Sequence, residues 1–194
     1  MQIPLFPLGT VLFPGGVLPL RIFETRYVDM TRDCVKTKRP FGVCLIREGP
    51  EVGGPAVPES VGCLALIDQW DVPQLGLIHL RAIGDRRFRV RSTTTNGQGL
   101  VVAEADILEE TADAPVPEEF ASFVELVRRV IEGTGPEAFS QPHRFDSASW
   151  VAFRLAEMLG LPMPLRQRLL EQEDPIERLA FLRELLAQDA RPPS

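Results

Sequence analysis

The sequence predicts an α+β chain: a small, partly closed β-barrel with one early helix, followed by a C-terminal helical bundle. Three observations point there. Short apolar runs bounded by Gly and Pro fill the first 110 or so residues, as in strand-rich folds. A polar, proline-containing stretch at 111–117 ends that pattern, and beyond it the apolar residues recur at helical spacing. Eighteen prolines among 194 residues imply edge strands, turns and sharply ended elements.

Residues 3–8 and 17–22 are apolar runs interrupted by Pro4, Pro7 and Pro19, so they belong at sheet edges or barrel rims. Between them, Phe13-Pro14-Gly15-Gly16 is turn chemistry. Thr25 is a candidate cap for a short helix with Tyr27, Met30 and Cys34 on one face. Strands are expected at 41–47, 62–70, 75–83, 88–91 and 100–108, with a Gly- and Pro-rich loop at 48–59. From Glu118 the stripe Phe120, Phe123, Val124, Val127 and Ile131 marks a helix. A second helix starts near Ser147 and stops at Gly160, with Pro162 barring continuation. A short one follows at 165–172. The last is capped by Asp174, with Pro175 in its first turn, Glu177 closing a capping box, and the stripe Ile176, Leu179, Leu182, Leu186. The expected organisation is a barrel subdomain at 1–112, a helical subdomain at 113–190 packed on it, and a tail at 191–194.

The bulk properties narrow the function. A chain of this length buries roughly 70% of its unfolded surface and needs no disulfide or metal staple. With 44% hydrophobic and 25% charged residues it has ordinary globular composition. The net charge of −6 disfavours nucleic acid and anionic membranes, which reward clustered Lys and Arg. Cys34, Cys44 and Cys63 are odd in number and set among apolar residues, so they read as buried reduced thiols. The start lacks a basic n-region and an unbroken apolar stretch, and no segment reaches the apolar length of a membrane span. A cytoplasmic protein is expected.

No catalytic constellation emerges. There is no G-x-x-x-x-G-K-[ST] phosphate cradle and no G-x-S-x-G elbow. Gly53 and Gly54 lie in a loop with no lysine and no helix after it. His79 and His143 are the only histidines, and neither neighbours a nucleophile or a ligand set. Glu109-Glu110 and Glu118-Glu119 flank a linker and a helix start, where acidic residues favour the helix dipole. Neither a cofactor, a metal nor catalytic residues are expected.

The segment from Ile3 to Tyr27, with Pro-Leu-Gly-Thr, Phe-Pro-Gly-Gly and Leu-Pro-Leu in succession, resembles the opening of the Lon protease amino-terminal (substrate-binding) domain family. Residues 62–68 and 77–90, including Gly84-Asp-Arg-Arg-Phe-Arg-Val90, resemble its later hairpin. Residues 173–186 resemble the helix that ends its helical subdomain. The resemblance spans nearly the whole chain. It implies a PUA-like barrel joined to a helical bundle, and a role in recognising unfolded or partly folded polypeptides or a protein partner, as an adaptor or holdase. The same barrel in cereblon-like proteins is an interaction platform. The ATPase and peptidase parts of full Lon proteases have no counterpart in this sequence, so a stand-alone, non-catalytic form is expected.

Two surfaces are candidates. Trp70, Val72 and Leu75, at the tip of the hairpin Trp70-Asp-Val-Pro-Gln-Leu75, have little local core to join and could meet apolar segments of a client; the bland alternative folds Trp70 back onto the barrel. The other surface is an RNA-binding alternative, Arg87, Arg89 and Arg91, with Arg81 and Arg86 nearby. Alternation with Phe88 and Val90 places the three on one strand face. A two-residue turn at Asn96-Gly97 would set Arg89 opposite Glu104 and Arg87 opposite Asp106, neutralising the stripe, with Phe88 opposite Ala105 and Val90 opposite Ala103. Arg21, Glu24 and Arg26 are expected to form a local ion-pair network.

Overall fold

In the computed structural model, which describes residues 1–54, 56–109, 114–135 and 138–189, the chain divides into two compact units, Met1–Glu109 and Glu110–Ser194. The first contains β1 (Gln2–Leu8), β2 (Val17–Ile22), α1 (Thr25–Thr37), β3 (Phe41–Glu48), β4 (Val57–Pro58), β5 (Val61–Gln74), β6 (Leu77–Thr95) and β7 (Val101–Ile107). β1 changes partner midway: Gln2–Pro4 pair antiparallel with β7, and Leu5–Leu8 pair parallel with β3. This switch closes the path β1-β7-β6-β5-β3 into a ring, while β2 pairs with β6 outside it. Pro4 and Pro7 sit at the seam and Pro19 on the added strand, where a missing N–H is tolerated.

The ring closes tightly around Phe88, which is fully buried with Ile3, Leu5, Cys44, Leu64 and Ala105. Gly42 and Gly62 make room for its ring. A Cβ on Gly42 would stand 2.7 Å from Phe88 Cζ, and one on Gly62 would stand 2.7 Å from the same atom and 2.4 Å from the Val43 carbonyl oxygen. A second core lies under α1, whose buried residues are Tyr27, Val28, Met30, Thr31 and Cys34. Tyr27 stacks on Phe6 with ring centroids 4.1 Å apart. Thr25 is the first helical residue and not the cap. Glu24 holds that place without a side-chain cap bond, because its carboxylate accepts from Arg26 at 2.9 Å.

The β6–β7 connection differs from the expected two-residue turn. Asn96 and Leu100 close a three-residue loop, in which Asn96 Oδ1 accepts from the N–H groups of Gln98 and Leu100 and Gly99 takes φ 81°. A register shift between Val90 and Ser92 then leaves Arg91 as an extra residue. With that bulge Arg89 lies opposite Asp106, Phe88 opposite Ile107 and Val90 opposite Ala105. Without it the three-residue loop would set Arg89 against Ile107, so the bulge restores charge facing charge and apolar facing apolar. Glu104 lies opposite Ser92 and not Arg89.

The second unit opens with a 3-10 turn, Glu118–Phe120, followed by α2 (Ala121–Thr134), α3 (Ala148–Met158), α4 (Met163–Glu171) and α5 (Pro175–Asp189). Phe120, Phe123, Val127 and Ile131 are buried, as the stripe implies. Ser147 caps α3 by accepting from Trp150 N–H. Asp174 Oδ1 accepts from the N–H groups of Ile176 and Glu177, capping α5. The capping box is half formed, since the Glu177 carboxylate accepts from the Gln172 side-chain amide. Arg178, Arg154 and Gln167 are buried.

Candidate functional site

Beyond Ala65, β5 loses its β3 partner and runs on with β6 alone on that side, pairing through Gln74↔Leu77. Gly76, at φ 82°, makes the tip. The resulting arm leaves large apolar side chains partly or wholly open: Trp70 is 54% exposed, Val72 47% and Leu75 98%. Trp70 is half covered. It lies opposite Leu80, whose side chain is core, so its ring stands on the inward face of the arm where the core runs out.

That inward face and α1 enclose a groove of about 280 Å³. The arm contributes Trp70, Val72, Leu75, Gly76 and Ile78; the helix contributes Val28, Thr31, Arg32, Val35 and Lys36. Helical spacing explains the second wall: Val28, Thr31, Arg32, Val35 and Lys36 recur at steps of three and four and share one side of α1. The groove therefore joins an apolar floor to two cations on its helical rim. Sequence reasoning named the arm and missed the helix wall. Val28 and Val35, one heptad apart beside the predicted Tyr27–Met30–Cys34 face, were the available signal.

Only part of the arginine stripe reaches the surface. Arg87 is fully buried and presents nothing to a ligand. Arg91 forms an ion pair with Asp106, which also lies opposite Arg89. Arg81 pairs with Asp68, and Arg86 with Asp85 at 3.4 Å. The network at the start of α1 is held by Arg26, which bonds Glu24 at 2.9 Å, donates to the Gly99 carbonyl at 3.0 Å and lies 4.6 Å above the Tyr27 ring. His79 lies between Arg21 and Asp71 in one cross-strand row. His143 is part of an aromatic cluster with Phe145 and Trp150.

The three cysteines are buried and reduced. Burial pushes the Cys34 thiol up to about 11, with Asp33 adding to it, and raises Cys44 further, with Glu59 adding. At neutral pH neither is a thiolate, the form that acts as a nucleophile. Among the described residues no group of three His, Cys, Asp or Glu is placed to hold a metal ion, and no helix is long and apolar enough to cross a membrane.

A closed strand ring with a helix laid against it, followed by a helical unit, is the architecture of Lon amino-terminal domains. A Lon N-terminal domain protein from Xanthomonas campestris superposes with a TM-score of 0.78 at 38% identity, covering 96% of this chain and 98% of that one. The N-terminal domain of a Mycobacterium avium complex Lon protease shares the fold at 18% identity, with a TM-score of 0.65 over 94% of this chain and 96% of that one. Residues 2–188 match the family model described as the ATP-dependent protease La (LON) substrate-binding domain, and the chain belongs to that family. The Lon protease of Methylocella silvestris is 27% identical over 187 residues, 93% of this chain and 23% of that protein. Protein cereblon of Danio rerio is 30% identical over 113 residues, 56% of this chain and 26% of that protein. The chain thus spans about a quarter of the length of these two curated relatives.

Proposed function

We propose that this chain is a non-catalytic polypeptide-binding module that holds apolar segments of unfolded or partly folded proteins in the groove between α1 and the β5–β6 arm. The observation that carries the reading is the set Trp70, Val72 and Leu75, three large apolar side chains left open together on one projecting hairpin. Isolated exposed apolar residues are ordinary, whereas a contiguous group beside a groove marks an interaction site. Membership of a family named for substrate binding supports the same reading. An adaptor or holdase role fits it, and a reducing cytoplasmic setting suits three free buried thiols. The ion pairs on Arg81, Arg86 and Arg91 and the burial of Arg87 weigh against the RNA alternative, because phosphates would compete with carboxylates already in place.

Trp70→Ala tests the reading. Capture of a reduced, permanently unfolded reporter protein is expected to weaken roughly ten-fold or more, as for a central aromatic anchor. Thermal unfolding should shift by only a few degrees, since about half of the ring surface is already open. Unchanged capture by a folded Trp70→Ala protein would refute the assignment of the groove.

A further inference from the structure

Resting on that reading, we infer that the groove selects short apolar segments flanked by carboxylates. Two observations combine. The first is size: a cavity of about 150 Å³ accommodates one benzene ring, so 280 Å³ has room for about two large apolar side chains. The second is charge. The residues lining the groove include Arg32 and Lys36 and no Asp or Glu, in a chain whose net charge is −6.

The two cations have separate local reasons to exist, and these leave them available. Lys36 lies in the last turn of α1, where it favours the helix dipole without needing a partner. Arg32 is 3.6 Å from Asp29, one turn away, in a pair whose arginine side chain stays 65% exposed. Such a pair is weak and solvent-shared, so a client carboxylate can join it. Neither carboxylate of the arm, Asp68 or Asp71, lines the groove. Asp68 pairs with Arg81, and Asp71 Oδ1 accepts from Val72 N–H at 2.8 Å. A segment whose apolar side chains enter between Trp70, Val72 and Val35 brings its neighbouring residues to the helix rim. Glu or Asp there meets two positive charges; Lys or Arg meets repulsion.

The experiment uses the full chain and three synthetic peptides with one Leu-Phe core, flanked on both sides by Glu, by Gln or by Lys. Dissociation constants are measured by calorimetry at low and at moderate salt. The Glu-flanked peptide is expected to bind about five-fold tighter than the Gln-flanked one, the size of two exposed ion pairs, with the Lys-flanked peptide weakest. Added salt should narrow the range. In a folded Arg32→Glu/Lys36→Glu protein the order should invert. Equal binding of all three peptides, abolished by Trp70→Ala, would overturn the charge selection and leave the groove assignment standing. Tighter binding of the Lys-flanked peptide would overturn it too. If none of the three binds, or binding ignores Trp70→Ala, the groove assignment falls and this inference with it.

Discussion

Leu75→Ser separates binding from folding more cleanly than any other substitution in the arm. Leu75 lines the groove yet is 98% exposed, so its side chain has almost no contact to lose in the free protein. The turn it occupies is set by Gly76 at φ 82°, and serine is at home in turns. The unfolding free energy should therefore change by less than about 0.5 kcal/mol. Binding is another matter. Complete burial of a leucine side chain is worth roughly 1.5–3 kcal/mol. An occupant of the groove covers one side of Leu75, about half of that surface, so its removal should cost about 1 kcal/mol, or roughly five-fold in Kd. The readout is built in. Of the two tryptophans, Trp150 is buried in the helical unit and Trp70 stands in the groove, so a fluorescence change on titration with a Leu-Phe peptide reports on Trp70. An unaltered Kd would show that the arm tip plays no part in binding. A melting midpoint lowered by many degrees would show that Leu75 supports the fold in a way its exposure denies.

Two further expectations concern the helical unit. Arg178 is fully buried, donates to the carbonyls of Leu169 and Gln172 at the end of α4 and to Ser149 Oγ, and lies 3.9 Å from the Phe153 ring centroid; Arg178→Met should strand those carbonyls and lower the urea-derived unfolding free energy by about 2–4 kcal/mol, while retained stability would deny it that role. Burial pushes the Glu157 carboxyl up from 4.5 to about 7 against the pull of Arg154 and Arg166. Because the folded value exceeds the unfolded one, the folded state holds the proton more tightly, and this contribution to stability is full below about 4.5 and lost as pH rises to about 7. Glu157→Gln should remove that decline and stabilise the chain at pH 8 by roughly 3 kcal/mol relative to its effect at pH 4.5; parallel pH profiles for the two proteins would refute this.

Much of the fold was legible because local chemistry and burial agree. Tyr27, Met30 and Cys34 share the inner face of α1, and Asp174 followed by Pro175 marks the start of α5. Pro4, Pro7 and Pro19 fall at the seam and on the added strand because each lacks the N–H that a fully paired position needs. The family resemblance carried by residues 3–27 holds across residues 2–188. The β6–β7 register was not legible in full, because Asn96 acts through its side chain. By accepting from Gln98 and Leu100 it holds a loop one residue wider than the favoured Asn-Gly turn. Alternation alone fixes which residues share a face, and the bulge at Arg91 preserved that relation while moving each partner.

Buried arginines are the least legible in the sequence, for one physical reason. An arginine on a strand or helix reads as solvent-facing, since burying its charge is costly unless every donor is met. Arg178 breaks that expectation because the last carbonyls of a helix lack intrahelical partners and carry the negative end of its dipole. A guanidinium fork meets two of them at once, at Leu169 and Gln172, and lays its face on Phe153. The sequence does hold a trace of this: Arg178 is four residues before Leu182 and three after Pro175, within the stripe that α5 buries. The same reasoning runs in reverse at the groove. Trp70, Val72 and Leu75 are apolar and still open, because the arm extends beyond the β3 pairing that closes the ring and α1 reaches only its inner face. In the helical unit arginine satisfies carbonyls that would otherwise be stranded; on the arm, apolar side chains stay open where the pairing with β3 has ended.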